Sequence, residues 1–255
     1  LKSAISRIKQ LDNITKGINS LTYNLIFLDT ETTGIKAEDR LCQLAYQDSA
    51  GNKMASLFKP DVPIRPEASA INHITPEMLE AAGPFRGSTM QHEIRHILEQ
   101  ENSILVAHNA PFDIAMLKKE GIETDKFICS QRLFKWLDNG IGKFDSYSLQ
   151  YLRYAVNIRI EAQAHDALGD ILVLERVFRE GMRFLREKLP DLGWSELIEK
   201  AMNISTTPML LVNCPLKKYK GLPFTDVPKD YLKWIVRKGT FDEDILGTAK
   251  FYLQK

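Results

Sequence analysis

Four consecutive apolar positions, Leu25-Ile26-Phe27-Leu28, give way to the polar segment Asp29-Thr30-Glu31-Thr32-Thr33-Gly34. A short unbroken apolar run predicts a strand covered on both faces. Two further strand-like runs, Leu41–Gln47 and residues 53–58, flank the turn-forming Asp48-Ser49-Ala50-Gly51-Asn52 and predict an antiparallel meander. Residues 104–107 read as a second buried parallel strand, and Phe127–Cys129 as another. Between these lie helical patterns. Ile5, Ile8, Leu11 and Ile14 recur at helical spacing and predict an amphipathic helix over residues 3–17 that stops at Gly17. Pro60, Pro63 and Pro66 mark an extended loop, followed by helices over residues 76–81 and 90–99. Pro111 suits the first turn of a helix reaching residue 119, Ser130 suits the cap of one reaching Leu137, and helices are expected over 148–155 and 167–184.

Strands followed by alternating strands and helices place the chain in the α/β class with a mixed sheet flanked by helices. The expected organisation is a helical extension over 1–20, a catalytic-sized domain over 21–185, a helical linker over 186–207 and a small module over 208–255. The last segment is set apart by Pro208, Pro215, Pro223 and Pro228, which precede Tyr231-Leu232-Lys233-Trp234.

Composition narrows the class. With 44% hydrophobic and 26% charged residues among 255, the chain is ordinary globular protein, long enough to bury a core. Its start at Leu rather than Met reads as a fragment or processed form, and its first 20 residues are too polar for a secretory signal. No apolar run approaches a membrane span. Three widely spaced cysteines without a CxxC argue against a disulfide framework or thiolate zinc site and fit a reducing, cytoplasmic setting. The net charge of +1 hides an asymmetry: residues 208–255 carry nine Lys/Arg against five Asp/Glu, leaving 25 against 28 in residues 1–207. An acidic part suited to metal thus precedes a basic part suited to phosphate.

The chemistry starts at the strand end. Side chains alternate along a strand, so Asp29 and Glu31 share a face and could ligate a hard divalent cation through oxygen. Two further acidic segments fall where strands pass into helices: His108-Asn109-Ala110-Pro111-Phe112-Asp113 and His165-Asp166-Ala167-Leu168-Gly169-Asp170. Open α/β sheets gather ligands at such places. His92 and His96, spaced for a shared helical face, lack a nearby third ligand for zinc.

In order and interval, these three acidic segments resemble the three motifs of the DEDDh 3′–5′ exonucleases, a family with a ribonuclease-H-like fold that includes polymerase proofreading subunits. The tyrosine branch of that superfamily carries its Tyr four positions before the last Asp, where this chain has Asp166, so the histidine branch is the one supported. The resemblance implies a two-metal-ion 3′–5′ exonuclease that releases nucleoside 5′-monophosphates from DNA, with an exoribonuclease or a catalytically inactive nucleic-acid-binding module as alternatives. It implies Asp29, Glu31, Asp113 and Asp170 as ligands of two divalent ions, Mg²⁺ or Mn²⁺, with Asp29 bridging both, and His165 as the base. Thr32, Thr33, Gly34, His73, Asn109 and Phe112 are expected beside the terminal nucleotide, His73 as part of Ile71-Asn72-His73-Ile74-Thr75, which resembles the family's segment flanking it. Gln43 stands where relatives often carry Glu.

The segment Cys214-Pro215-Leu216-Lys217-Lys218-Tyr219-Lys220-Gly221, with Tyr231 and Trp234 beyond it, is similar to the small module that follows the nuclease domain in the exodeoxyribonuclease branch. Lys217, Lys218 and Lys220 are expected to help grip DNA. The implied partners are DNA 3′ ends, single- or double-stranded, with RNA and a polymerase as further candidates.

Overall fold

A computed structural model describes residue 17 and residues 23–160 and 167–255. The helix expected over 3–17 lies outside these, except for Gly17, which is helical. Strands β1 (Asn24–Thr32), β2 (Leu41–Gln47), β3 (Lys53–Leu57), β4 (Ser103–Ala107) and β5 (Phe127–Cys129) form one sheet in the order β3-β2-β1-β4-β5. β1 runs antiparallel to β2 and parallel to β4, and β5 continues the parallel edge.

The apolar run of β1 is continuous because both faces of this central strand are covered. Leu25 and Phe27 pack with Phe178, Met182, Leu197 and Ile198, while Ile26 and Leu28 pack on the opposite side with Met90, Ile94 and Leu117. Phe27 meets Phe178 edge-on at 5.6 Å between ring centres, a geometry that adds about 0.5–1.5 kcal/mol to the area both rings bury.

The helices of the first half are α1 (Pro66–Asn72), α2 (Pro76–Glu80), α3 (Thr89–Leu98) and α4 (Ala110–Lys119). Those of the second half are α5 (Ser130–Asp138), α6 (Leu149–Ala155), α7 (Ala167–Lys188) and α8 (Trp194–Thr206). α1 occupies part of what the prolines marked as a loop. Pro66 stands at its first helical position, where a missing N–H costs nothing and the fixed φ already suits a helix. Ser130 is the first residue of α5 rather than its cap, because its hydroxyl is engaged by His108 Nδ1 at 2.8 Å.

α7 crosses the sheet and packs closely on α5. A Cβ at Gly181 would lie 3.0 Å from both Leu133 and Phe134. Residues 186–207, expected as helix and linker, contain α8, whose Leu197, Ile198, Ala201 and Ile204 belong to the same core as β1 and β4. Ser205 Oγ of α8 also accepts the backbone N–H of Cys129 at 2.8 Å.

Beyond residue 207, helices α9 (Lys229–Lys238) and α10 (Glu243–Gln254) enclose a separate small core of Cys214, Phe224, Val227, Leu232, Ile235 and Ala249. Arg132 of α5 joins it to the rest. Its guanidinium donates to both carboxylate oxygens of Asp244 and to the carbonyls of Ile204 and Thr207. All three cysteines are buried free thiols, and no helix among the described residues is long and apolar enough to cross a membrane.

Candidate active site

β1 sets the site because it carries two acids on one face just where its pairing with β2 becomes irregular, between Glu31 and Thr32. The last turn-forming residue is obligatory glycine. At Gly34, φ is +157°, and an added Cβ would collide with the Asp39 carboxylate, whose carbon would lie 2.8 Å away. Asp39 is buried beneath this turn, where it accepts from Lys36 N–H, Thr33 Oγ1 and Arg65 Nε. Burial opposes its charge, yet these donors together hold its carboxyl below the usual range.

Asp170, in the first turn of α7, completes the acidic cluster. Oxygens of Asp29, Glu31 and Asp170 all lie within 4.8 Å of one another. Three carboxylates at that separation repel unless a cation shares them, and an all-oxygen donor set suits a hard divalent ion. The start of α7 is tied to β2: Gln43, opposite Glu31 in the strand register, accepts the N–H of Ala167 at 3.3 Å.

Asp113 stands apart from this trio. Its Oδ1 accepts the N–H of Thr30 at 3.1 Å and the Thr30 hydroxyl at 2.7 Å, so it grips β1 between the two acids. Burial pushes its carboxyl up to about 7 despite these bonds. His165 and Asp166 lie outside the described residues.

A cavity of about 460 Å³ adjoins the cluster, lined in part by Glu31, Thr32, Gly34, Arg65, Ile71 and Phe112. Thr32, Gly34 and Phe112, three of the residues expected beside a nucleotide, line this cavity. Thr33 does not. It is fully buried, and its hydroxyl serves Asp39 and the Arg40 N–H, so its side chain holds the turn together. His73 and Asn109 are exposed, left-handed residues at the end of α1 and the start of α4, outside the cavity lining. Ile71 and Asn72, two positions and one position before His73, line the cavity instead, and Asn72 donates to the Thr32 carbonyl at 3.2 Å. Arg65 and the 86% exposed Ile35 were missed by the motifs, since a proline-flanked arginine and a lone apolar residue carry no signal of their own.

His108 belongs to the scaffold. Its Nε2 donates to the Tyr147 carbonyl at 2.8 Å, and burial lowers its pKa to about 4, keeping the ring neutral.

Gln150 of α6 was likewise invisible in sequence. Its amide donates to Asp170 Oδ1 at 2.7 Å, while Arg153 Nη1 donates to its Oε1 at 3.2 Å and Arg153 Nη2 to the Ile160 carbonyl. This chain of bonds fixes which way the Asp170 carboxylate faces. Outer partners of metal-binding carboxylates are worth about 10–100-fold in affinity. Gln150→Leu is therefore expected to weaken Mn²⁺ binding by that factor in a calorimetric titration. Unchanged affinity would remove Gln150 from the site.

A mixed five-stranded sheet of this order, with carboxylates clustered at the end of its central strand, defines a ribonuclease-H-like nuclease. The family described as exonuclease, of the ribonuclease T type, matches residues 26–178, and the chain belongs to it: a DEDDh-type, metal-dependent 3′–5′ exonuclease. Among individual relatives, Exodeoxyribonuclease 10 of Escherichia coli (strain K12) is 29% identical over 240 residues, covering 90% of this chain and 99% of that protein. DNA polymerase III subunit epsilon of Treponema pallidum (strain Nichols) is 33% identical over 165 residues, 59% of this chain and 72% of the relative. Exonuclease X in complex with 5′ overhanging duplex DNA shares the fold at a TM-score of 0.53 and 24% identity, over 71% of this chain and 99% of that one. Escherichia coli Exonuclease I bound to a dT13 oligonucleotide does so at 0.56 and 19%, over 67% and 43%. A second family, described as a quorum-sensing-regulated virulence factor, matches residues 206–252.

Proposed function

We propose that the protein is a two-metal-ion exonuclease that removes nucleotides from DNA 3′ ends as nucleoside 5′-monophosphates. The convergence of Asp29, Glu31 and Asp170 within 4.8 Å, beside a nucleotide-sized cavity, carries this reading. With Asp113 they would hold two divalent ions, Mg²⁺ or Mn²⁺, which lower the pKa of bound water and offset charge on the scissile phosphate. Thr32, Gly34 and Phe112 seat the terminal nucleotide, with the apolar Ile71 and Phe112 against its base. His165, whose unperturbed pKa is about 6.5, takes the proton as water oxygen attacks phosphorus. The bond from phosphorus to the 3′ oxygen breaks, and that oxygen is protonated on the shortened strand.

The preference for DNA is supported by the name of the relative that spans nearly the whole chain, an exodeoxyribonuclease. In the same reading, residues 208–255 form a module that adds grip through Lys217, Lys218 and Lys220, and the enzyme works in the cytoplasm. The test is a degradation assay on 5′-labelled single-stranded DNA, duplex DNA and RNA with Mg²⁺. Stepwise shortening of DNA is expected, suppressed by EDTA. Shortening of RNA alone would replace the substrate, and metal binding without hydrolysis of any of them would sink the catalytic reading.

A further inference from the structure

The small C-terminal module has an aromatic surface that its own core does not consume. That core is closed by Cys214, Phe224, Val227, Leu232, Ile235 and Ala249. Outside it stand Tyr219, Tyr231, Trp234 and Phe241, each only partly buried, around one open cavity of about 990 Å³. The rings form a continuous set. Tyr231 and Trp234, one turn apart on α9, stack with centres 5.0 Å apart and planes 19° from parallel. Tyr219 meets Tyr231 edge-on at 4.7 Å, and Trp234 meets Phe241 at 5.5 Å.

Cations rim the rings. Lys218 Nζ lies 5.3 Å from the Tyr219 ring centre and 5.5 Å from that of Tyr231. Lys238 Nζ lies 5.2 Å from Trp234 and 5.4 Å from Phe241. Lys217 also lines the cavity, and among the described residues Asp230 is its only acidic lining residue. Lys220 faces a different cleft, between the module and the nuclease core.

From this arrangement we infer that the Tyr219–Tyr231–Trp234–Phe241 cavity is a base-stacking site for single-stranded DNA, separate from the cavity beside the acidic cluster. Flat rings offer a face that any base can stack on, and the surrounding lysines match a phosphate backbone, the pairing on which sequence-tolerant binding of single strands rests. An acidic protein segment would use the lysines but has no need of four rings in one set. The inference rests on the reading of the protein as a DNA exonuclease and assigns a second point of contact to its substrate.

The experiment measures binding of a labelled single-stranded oligonucleotide to the full chain in EDTA, where degradation is suppressed. Stacking contributes about 1–3 kcal/mol per base. Trp234→Ala and Tyr231→Ala should each weaken binding roughly tenfold or more, Trp234→Phe should retain most of it, and quenching of tryptophan fluorescence by the oligonucleotide should vanish in Trp234→Phe. Should the alanine variants fail to fold, Lys218→Gln and Lys238→Gln, both exposed, should each lower the salt dependence of binding by about one released ion. Unaltered binding and salt slope in all folded variants would overturn the inference, as would quenching by an acidic peptide and not by the oligonucleotide. Failure here is separable from failure of the enzymatic reading, since one is read as binding without metal and the other as strand shortening with it.

Discussion

Asp29→Ala is expected to reduce DNA degradation by about 10³-fold or more, because a bound divalent ion supplies several kcal/mol of charge stabilisation and each 1.36 kcal/mol is a factor of ten in rate. Asp29 is the residue through which that ion would be held, since it shares the cluster with Glu31 from the same strand and Asp170 from α7. The same substitution separates a catalytic role from a structural one. Removing one of three mutually repelling carboxylates should leave the metal-free midpoint of thermal unfolding at or above that of the parent. Adding Mn²⁺ should raise the parent's midpoint and leave the variant's in place, because only a folded state that binds the ion is stabilised by it. A variant that shortens DNA at the parental rate would end the assignment. One that loses activity together with its metal-free stability would make Asp29 a structural residue.

Arg132→Met should lower the unfolding free energy by about 3–5 kcal/mol, since it removes the counter-charge of a buried carboxylate and leaves it the Met209 N–H. Asp244 has a side chain only 6% exposed, and Arg132 holds both of its oxygens, at 2.7 and 3.0 Å. The guanidinium also satisfies the carbonyls of Ile204 and Thr207 at the end of α8, so one side chain ties α5, α8 and α10 together. A urea titration of the parent, Arg132→Met, Asp244→Asn and the double variant measures the coupling. The double variant should be less damaged than the sum of the two single variants, because the carboxylate left without its partner is then gone. A loss below about 1 kcal/mol in Arg132→Met would show that water replaces the guanidinium, as at exposed pairs.

The asymmetry between these two residues reflects how much of the molecule could be read along the chain. Asp29 announces itself because an apolar run stops on a carboxylate. Arg132 looks like any surface arginine on an amphipathic helix, since its partner lies 112 positions away. Several strands were legible for a local reason: β2 and β5 have the bounds that apolar periodicity and turn residues set by themselves, whereas β1 runs on past its apolar stretch to Thr32. α1 was not, because Pro60, Pro63 and Pro66 signal extended chain and first helical turn equally well.

The substrate-side residues divide in the same way. Thr32, Gly34 and Phe112 line the cavity, but Thr33 is turned inward by Asp39, whose own burial depends on Arg65 arriving from the segment before α1. Asp113 lies beside β1 as the strand-to-helix pattern implied. Its bonds to Thr30 and its separation from the other three acids are set by how α4 packs. Gln150 had no motif at all; it matters because α6 lies against the start of α7.

By itself, then, the sequence determined the α/β class, the strand that carries the acids and the family to which the chain belongs. Each of these is written in short-range patterns of apolar spacing, turn formers and acidic motifs. Tertiary structure alone decided which acids meet within 4.8 Å, which hydroxyl is spent on the scaffold and which distant amide aims Asp170. It also set four module rings around a cavity instead of inside a core. Such facts depend on contacts between segments far apart in the chain, and a side chain carries no local mark of the partner that packing will bring to it.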